Sequence, residues 1–159
     1  MNDVFWINDT GLAIVMRPRG DDRLPDDLSR LKRAGIQILV STLESGEARE
    51  LGLSAEASLS EELGLQFLSF PIRDRSTPTN REAFDDFVRS LSKRLHAGEK
   101  IGVHCRGCIG RSTIVTACTL IELGWPAERA LQAIEVSRGC SVPDTEAQRE
   151  WIIAFGAAE

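Results

Sequence analysis

Short apolar runs alternate with helix-like segments along the chain, and that alternation restricts the fold more than any other feature. Residues 12–16, 36–40, 65–70 and 101–103 read as strands, each a brief apolar stretch bounded by turn residues. Between the first two, Pro25 opens a helix carrying Leu28 and Leu31, which Gly35 ends. Residues 45–63 hold two short helical patches, stopped by Gly52 and Gly64. Thr79 and Glu82 are spaced as a capping box, and behind them Phe84, Phe87, Val88, Leu91 and Leu95 recur at helical spacing up to Gly98. Three more helices are expected at 112–123, 126–137 and 145–155. Strands alternating with helices, followed by a helical tail, predict an α/β fold with a central, mostly parallel sheet flanked by helices and a C-terminal helical cluster. No repeat, low-complexity tract or long linker divides the 159 residues, so 1–159 is expected to be one domain.

In such sheets ligands bind at the carboxyl ends of the strands. Two loops leave such ends: residues 71–78, which contain Asp74, and the segment His104-Cys105-Arg106-Gly107-Cys108-Ile109-Gly110-Arg111-Ser112. A glycine-bearing loop between a strand and a helix can turn successive backbone N–H groups inward as an anion-binding nest. The helix beginning near Ser112 adds its positive N-terminal end. Gly107 and Gly110 allow a tight backbone, and Arg111 supplies a planar fork for two phosphate oxygens. A cysteine at the mouth of that nest ionises readily, because helix termini and cations lower thiol pKa values to roughly 3.5–7.5. The Ser112 hydroxyl is placed to hydrogen-bond the sulfur of Cys105.

These residues resemble the Cys-x5-Arg protein tyrosine and dual-specificity phosphatases. His104-Cys105, five intervening residues and Arg111-Ser112 match that family's phosphate-binding loop position by position. Phe70-Pro71-Ile72-Arg73-Asp74, with Pro78 beyond, resembles the general-acid loop of the small group around the cyclin-dependent-kinase-associated phosphatase. Asp74 lies 31 positions before Cys105, about where that group places its acid. The resemblance is good over residues 65–123. It implies a dual-specificity-phosphatase-like fold and hydrolysis of phosphate monoesters through a phosphocysteine intermediate. Cys105 would be the nucleophile, Asp74 the acid and then the base, and Ser112 the stabiliser of the leaving thiolate. The backbone of Arg106, Gly107, Cys108, Ile109 and Gly110, with the Arg111 side chain, would hold the phosphate. No metal or organic cofactor is implied.

Several residues keep two readings. Cys108 forms Cys-x-x-Cys with Cys105, a redox spacing, or simply fills space. Gln148 either completes a capping box with Thr145 or, as in some related phosphatases, positions the hydrolytic water. Asp74 could be a turn residue between Arg73 and Arg75. His104 should play a structural part, since neighbouring strand side chains point to opposite faces. A rhodanese-like sulfurtransferase also nests a loop cysteine, and a non-catalytic phosphate-binding module would use the same loop. The Asp74 loop counts against both.

Composition bears on partners. A net charge of −5 argues against general nucleic-acid binding. No apolar run approaches the ~20 residues of a membrane span, and the acidic start Met-Asn-Asp-Val-Phe-Trp lacks a signal peptide's pattern. The four cysteines, Cys105, Cys108, Cys118 and Cys140, read as reduced thiols. A cytoplasmic monomer without membrane attachment is expected. Its substrate would be a phosphorylated protein or small phosphoester, and Arg73, Arg75 and Arg106 predict an anionic neighbourhood around the phosphate.

Overall fold

The computed structural model describes residues 3–158; Met1, Asn2 and Glu159, on which the reading of the chain ends partly rests, lie outside them. The strands are β1 (Val4–Trp6), β2 (Leu12–Val15), β3 (Ile38–Ser41), β4 (Gln66–Ser69) and β5 (Ile101–His104). The helices are α1 (Leu24–Arg33), α2 (Ser45–Glu50), α3 (Glu56–Glu62), α4 (Arg81–His96), α5 (Arg111–Glu122), α6 (Ala127–Arg138) and α7 (Glu146–Ala158). They form one sheet of order β1-β2-β5-β3-β4, in which only β1 runs antiparallel. The mostly parallel α/β architecture expected from the alternation is present. β1 was not foreseen, because three half-buried residues carry no periodicity to read.

Both faces of the sheet are covered, and the period of two along the strands sorts the side chains. Leu12, Ile14, Ile38, Val40, Ile101 and Val103 face α4, α5, α6 and α7 in the larger core. Ala13, Val15 and Leu39 face α1 and residues from the α2–α3 region. Helix α5 lies in the middle of the larger core, with every residue from Arg111 to Ile121 buried. Its interior threonines turn their hydroxyls back, Thr116 to the Ser112 carbonyl (2.8 Å) and Thr119 to that of Val115 (2.7 Å). Gly102 in β5 is required by packing: a Cβ there would stand 2.7 Å from Val15 and 3.1 Å from Ile36.

One helix start differs from expectation. The Thr79–Glu82 box does not cap α4; Asn80 does, its side-chain oxygen accepting the Ala83 N–H at 3.0 Å. Asn80 holds the extended backbone (φ −110°, ψ 97°) that aims its carboxamide at the third helical N–H, and asparagine ranks among the best N-caps. The Thr145–Gln148 box forms as expected: the Gln148 N–H donates to Thr145 Oγ1, and the Thr145 N–H to Gln148 Oε1, both at 3.1 Å.

Candidate active site

The loops that follow β4 and β5 meet at one pocket of about 280 Å³. It is lined by Asp74, Arg75, Cys105, Arg106, Gly107, Ile109, Gly110, Arg111 and Asp144. The loop after β5 supplies the floor. Its carbonyls are held from outside the loop: Arg17 donates to the Arg106 carbonyl and Arg138 to that of Cys108, each at 3.0 Å. With these two carbonyls held outward, the Cys108 N–H turns to the Cys105 sulfur, as the amides of an anion nest turn inward. Arg138, in the last turn of α6, stacks 4.4 Å over Phe5, so the unforeseen β1 supports the loop.

Cys105 Sγ is buried and accepts two hydrogen bonds, from the Cys108 N–H (3.0 Å) and the Ser112 hydroxyl (2.9 Å). Burial opposes its ionisation, but hydrogen bonds from Cys108 and Ser112 and the charge of Arg111 outweigh burial and bring the pKa down to about 5. Cys108 moves the opposite way. Its proximity to the Cys105 sulfur and its burial push its thiol well above the ordinary value. Cys108 sits behind the nucleophile rather than on the pocket wall, its own thiol donating to the Val15 carbonyl at 3.1 Å. Its φ of +59° is left-handed, a conformation that glycine adopts without strain and cysteine does not.

Arg111 is buried, and both Nη atoms of its guanidinium have protein partners. It makes a two-pronged pair with Glu47 (2.6 and 3.0 Å), donates to the Ile72 carbonyl (2.9 Å) and lies 3.1 Å from Asp74. Glu47 was missed by sequence reasoning. Burial opposes its charge, but Arg111, the Glu44 N–H and Arg106 together hold its carboxyl below the ordinary range. The available signal was positional: a glutamate in the first turn of the helix after β3, beside a loop whose arginine must be neutralised when buried.

Asp74 reaches the pocket although β4 lies two strands from β5. Beyond β4 the chain follows the end of β3, Phe70 N–H bonding to the Ser41 carbonyl and Ile72 N–H to that of Thr42, each at 2.9 Å. That detour delivers Asp74, half exposed, to the Arg111 guanidinium. Its neighbour Arg75 pairs with Asp144 at 3.2 Å. Of the three arginines expected near the phosphate, Arg75 and Arg106 line the pocket and Arg73 does not.

His104 and Gln148 both lie outside the pocket wall. The His104 ring is fully buried against Glu56, Nε2 to Oε2 2.6 Å, and Thr42 bonds the His104 carbonyl with both its N–H and its hydroxyl. Burial lowers the imidazole's affinity for its proton, yet Glu56 and Cys105 raise it overall. Gln148 is buried, and besides capping α7 its Nε2 donates to the Ser76 carbonyl at 2.9 Å.

Comparison with known proteins agrees with this geometry. A family model described as "Polymorphic toxin system, DSP-PTPase phosphatase" matches residues 13–125. A protein of Invertebrate iridescent virus 3 named as a tyrosine phosphatase is 33% identical over 132 residues, covering 79% of this chain and 52% of its own length. The chain thus spans about half of that relative. Protein tyrosine phosphatase PRL-1 of Leishmania major is 26% identical over 151 residues, covering 89% of this chain and 80% of that protein. Rat cyclin-dependent kinase inhibitor 3 is 27% identical over 131 residues, covering 81% and 61%. Among solved structures, kinase associated phosphatase with its catalytic cysteine replaced by serine superposes with a TM-score of 0.86 at 22% identity, covering 98% of this chain and 93% of that one, a likeness of fold. A matched family model over most of the chain, on a fold shared with kinase associated phosphatase, makes this protein a member of the DSP-PTPase phosphatase family.

Proposed function

We propose that the chain hydrolyses phosphate monoesters in two steps through a phosphocysteine at Cys105. In the first step the Cys105 thiolate attacks phosphorus in line while Arg111 and the amides of residues 106–110 hold the equatorial oxygens. Asp74 gives its proton to the leaving oxygen. In the second step Asp74, now a carboxylate, takes a proton from the attacking water, and the sulfur departs as a thiolate stabilised by the Ser112 hydroxyl. The observation that carries the reading is the sulfur of Cys105 itself: buried, doubly hydrogen-bonded and brought to a pKa of about 5 beside Arg111. A sulfurtransferase or a mere phosphate reader needs no proton donor on the pocket wall, where Asp74 stands.

The substrate is a phosphorylated protein or a small phosphoester. The family name and the tyrosine-phosphatase relatives support the first. A monomer in the cytoplasm is part of this proposal, and the four unbridged cysteines fit a reducing compartment; among the described residues no helix is long and apolar enough to cross a membrane. Phosphate release from an aryl phosphate tests the assignment. Cys105→Ser should abolish turnover while inorganic phosphate still binds, and retention of more than a few per cent of activity would remove Cys105 from its role.

A further inference from the structure

We propose that Gln148 is a positioning residue for proton transfer, acting through Asp74 by tying the acid loop to the phosphate loop. This rests on the assignment of Asp74 as the proton donor. A capping box needs only an acceptor oxygen at its fourth position, and glutamate serves there as well as glutamine. The oxygen of Gln148 does that work on Thr145. What glutamine adds is a donor, and Nε2 spends it on the carbonyl of Ser76, two residues beyond Asp74.

The same segment touches the acid loop a second time. Asp144 holds Arg75, which follows Asp74 directly and has a left-handed φ of +60°. Such a backbone is sparsely populated by non-glycine residues and persists only when surrounding contacts hold it. On its other side the segment presses on the phosphate loop: a Cβ at Gly110 would stand 2.8 and 2.9 Å from the Gln148 amide and 3.0 Å from Asp144 Cβ. Residues 144–148 therefore form a bracket between the two loops whose groups must act together in the first step. With no exposed surface and no place on the pocket wall, the Gln148 amide faces Ser76 and Thr145 rather than the space where water would attack.

The test uses Gln148→Glu, which keeps the capping oxygen but cannot donate to Ser76, and Gln148→Met, which keeps the volume without either bond. Thr145→Ala weakens the helix start alone. Each is assayed with an alkyl phosphate and an activated aryl phosphate, alone and combined with Asp74→Asn, alongside thermal unfolding. Both Gln148 variants should slow the alkyl phosphate roughly 10- to 100-fold, the cost of displacing a reacting group by about 1 Å, and the aryl phosphate by a smaller factor. Added to Asp74→Asn, either should cost at most about twofold more, because residues acting as a unit are not additive. Thr145→Ala should lower the unfolding temperature and leave the alkyl-to-aryl ratio as in the wild type.

Equal slowing of both substrates, with a burst of leaving group before a slow steady state, would overturn the proposal and place Gln148 at the water step. Full multiplication with Asp74→Asn would also overturn it. If Asp74→Asn discriminates between the substrates but the Gln148 variants do not, the bracket alone fails. If Asp74→Asn itself slows both equally, the acid assignment fails, and the bracket with it.

Discussion

Glu47 and Arg111, 64 positions apart, face each other as a two-pronged ion pair, with 2.6 Å between Oε1 and Nη1 and 3.0 Å between Oε2 and Nη2. The pair fixes the guanidinium before any substrate arrives, so its fork is already oriented. Removing one partner of a buried pair typically costs about 3–5 kcal/mol, since the other charge is left uncompensated. Glu47→Ala should therefore lower the urea midpoint and reduce kcat/KM together. Arg111→Lys approaches the pair from its other side: it keeps the charge, loses the fork and should also depress kcat/KM sharply. A Glu47→Ala protein with unchanged stability and kinetics would show that the pair is idle.

The thiolate gives a pH prediction whose sign follows from its hydrogen bonds. With the Cys105 pKa lowered to about 5, the sulfur is charged above that pH and protonated below it. Alkylation by iodoacetamide should accordingly rise with pH and reach half its limiting rate near 5. Ser112→Ala removes a donor to the charged form, so its midpoint should move to higher pH. A wild-type midpoint above about 8, the range of an ordinary thiol, would contradict the site's electrostatics.

Asp74 should reveal itself through the leaving group. An alkoxide needs its proton in the transition state, whereas an activated phenolate departs without one. Asp74→Asn should slow alkyl phosphate hydrolysis by roughly 10²–10⁴-fold and the activated aryl phosphate far less. Equal effects on both substrates would make Asp74 a loop-positioning residue, with Asp144, on the same pocket wall, the next to replace.

Cys108 invites an oxidation experiment, because it holds a left-handed backbone directly behind the nucleophile. Hydrogen peroxide converts the Cys105 thiolate to a sulfenic acid, and attack by the Cys108 thiol would release water and close a disulfide. Peroxide-treated wild type should regain activity with thiol reductant, while Cys108→Ser should pass on to irreversible oxidation. Equal recovery in both would leave Cys108 as packing.

What the chain determined locally and what only its folding decided divide along sequence distance. The phosphate loop was legible because its chemistry is contiguous: a strand end, glycines, a cysteine, an arginine after five intervening residues, and a helix start. The Thr145–Gln148 cap was legible for the same reason, although the donor that Gln148 turns on Ser76 was not. At the start of α4 the spacing pointed to Thr79, but the cap is Asn80, whose extended backbone aims its carboxamide at the Ala83 N–H. Glu47 on Arg111 left only a positional signal, while Glu56 on His104, and Arg17 and Arg138 on the loop carbonyls, were beyond reach. Periodicity announces that a strand is buried but not which strands flank it. Only the order β2-β5-β3-β4 places the ends of β3 and β4 beside the Cys105 loop, bringing α2 to Arg111 and carrying Asp74 there along the detour after β4. A buried guanidinium must find a carboxylate, and which one it finds is settled by the neighbours that the sheet assembles around it.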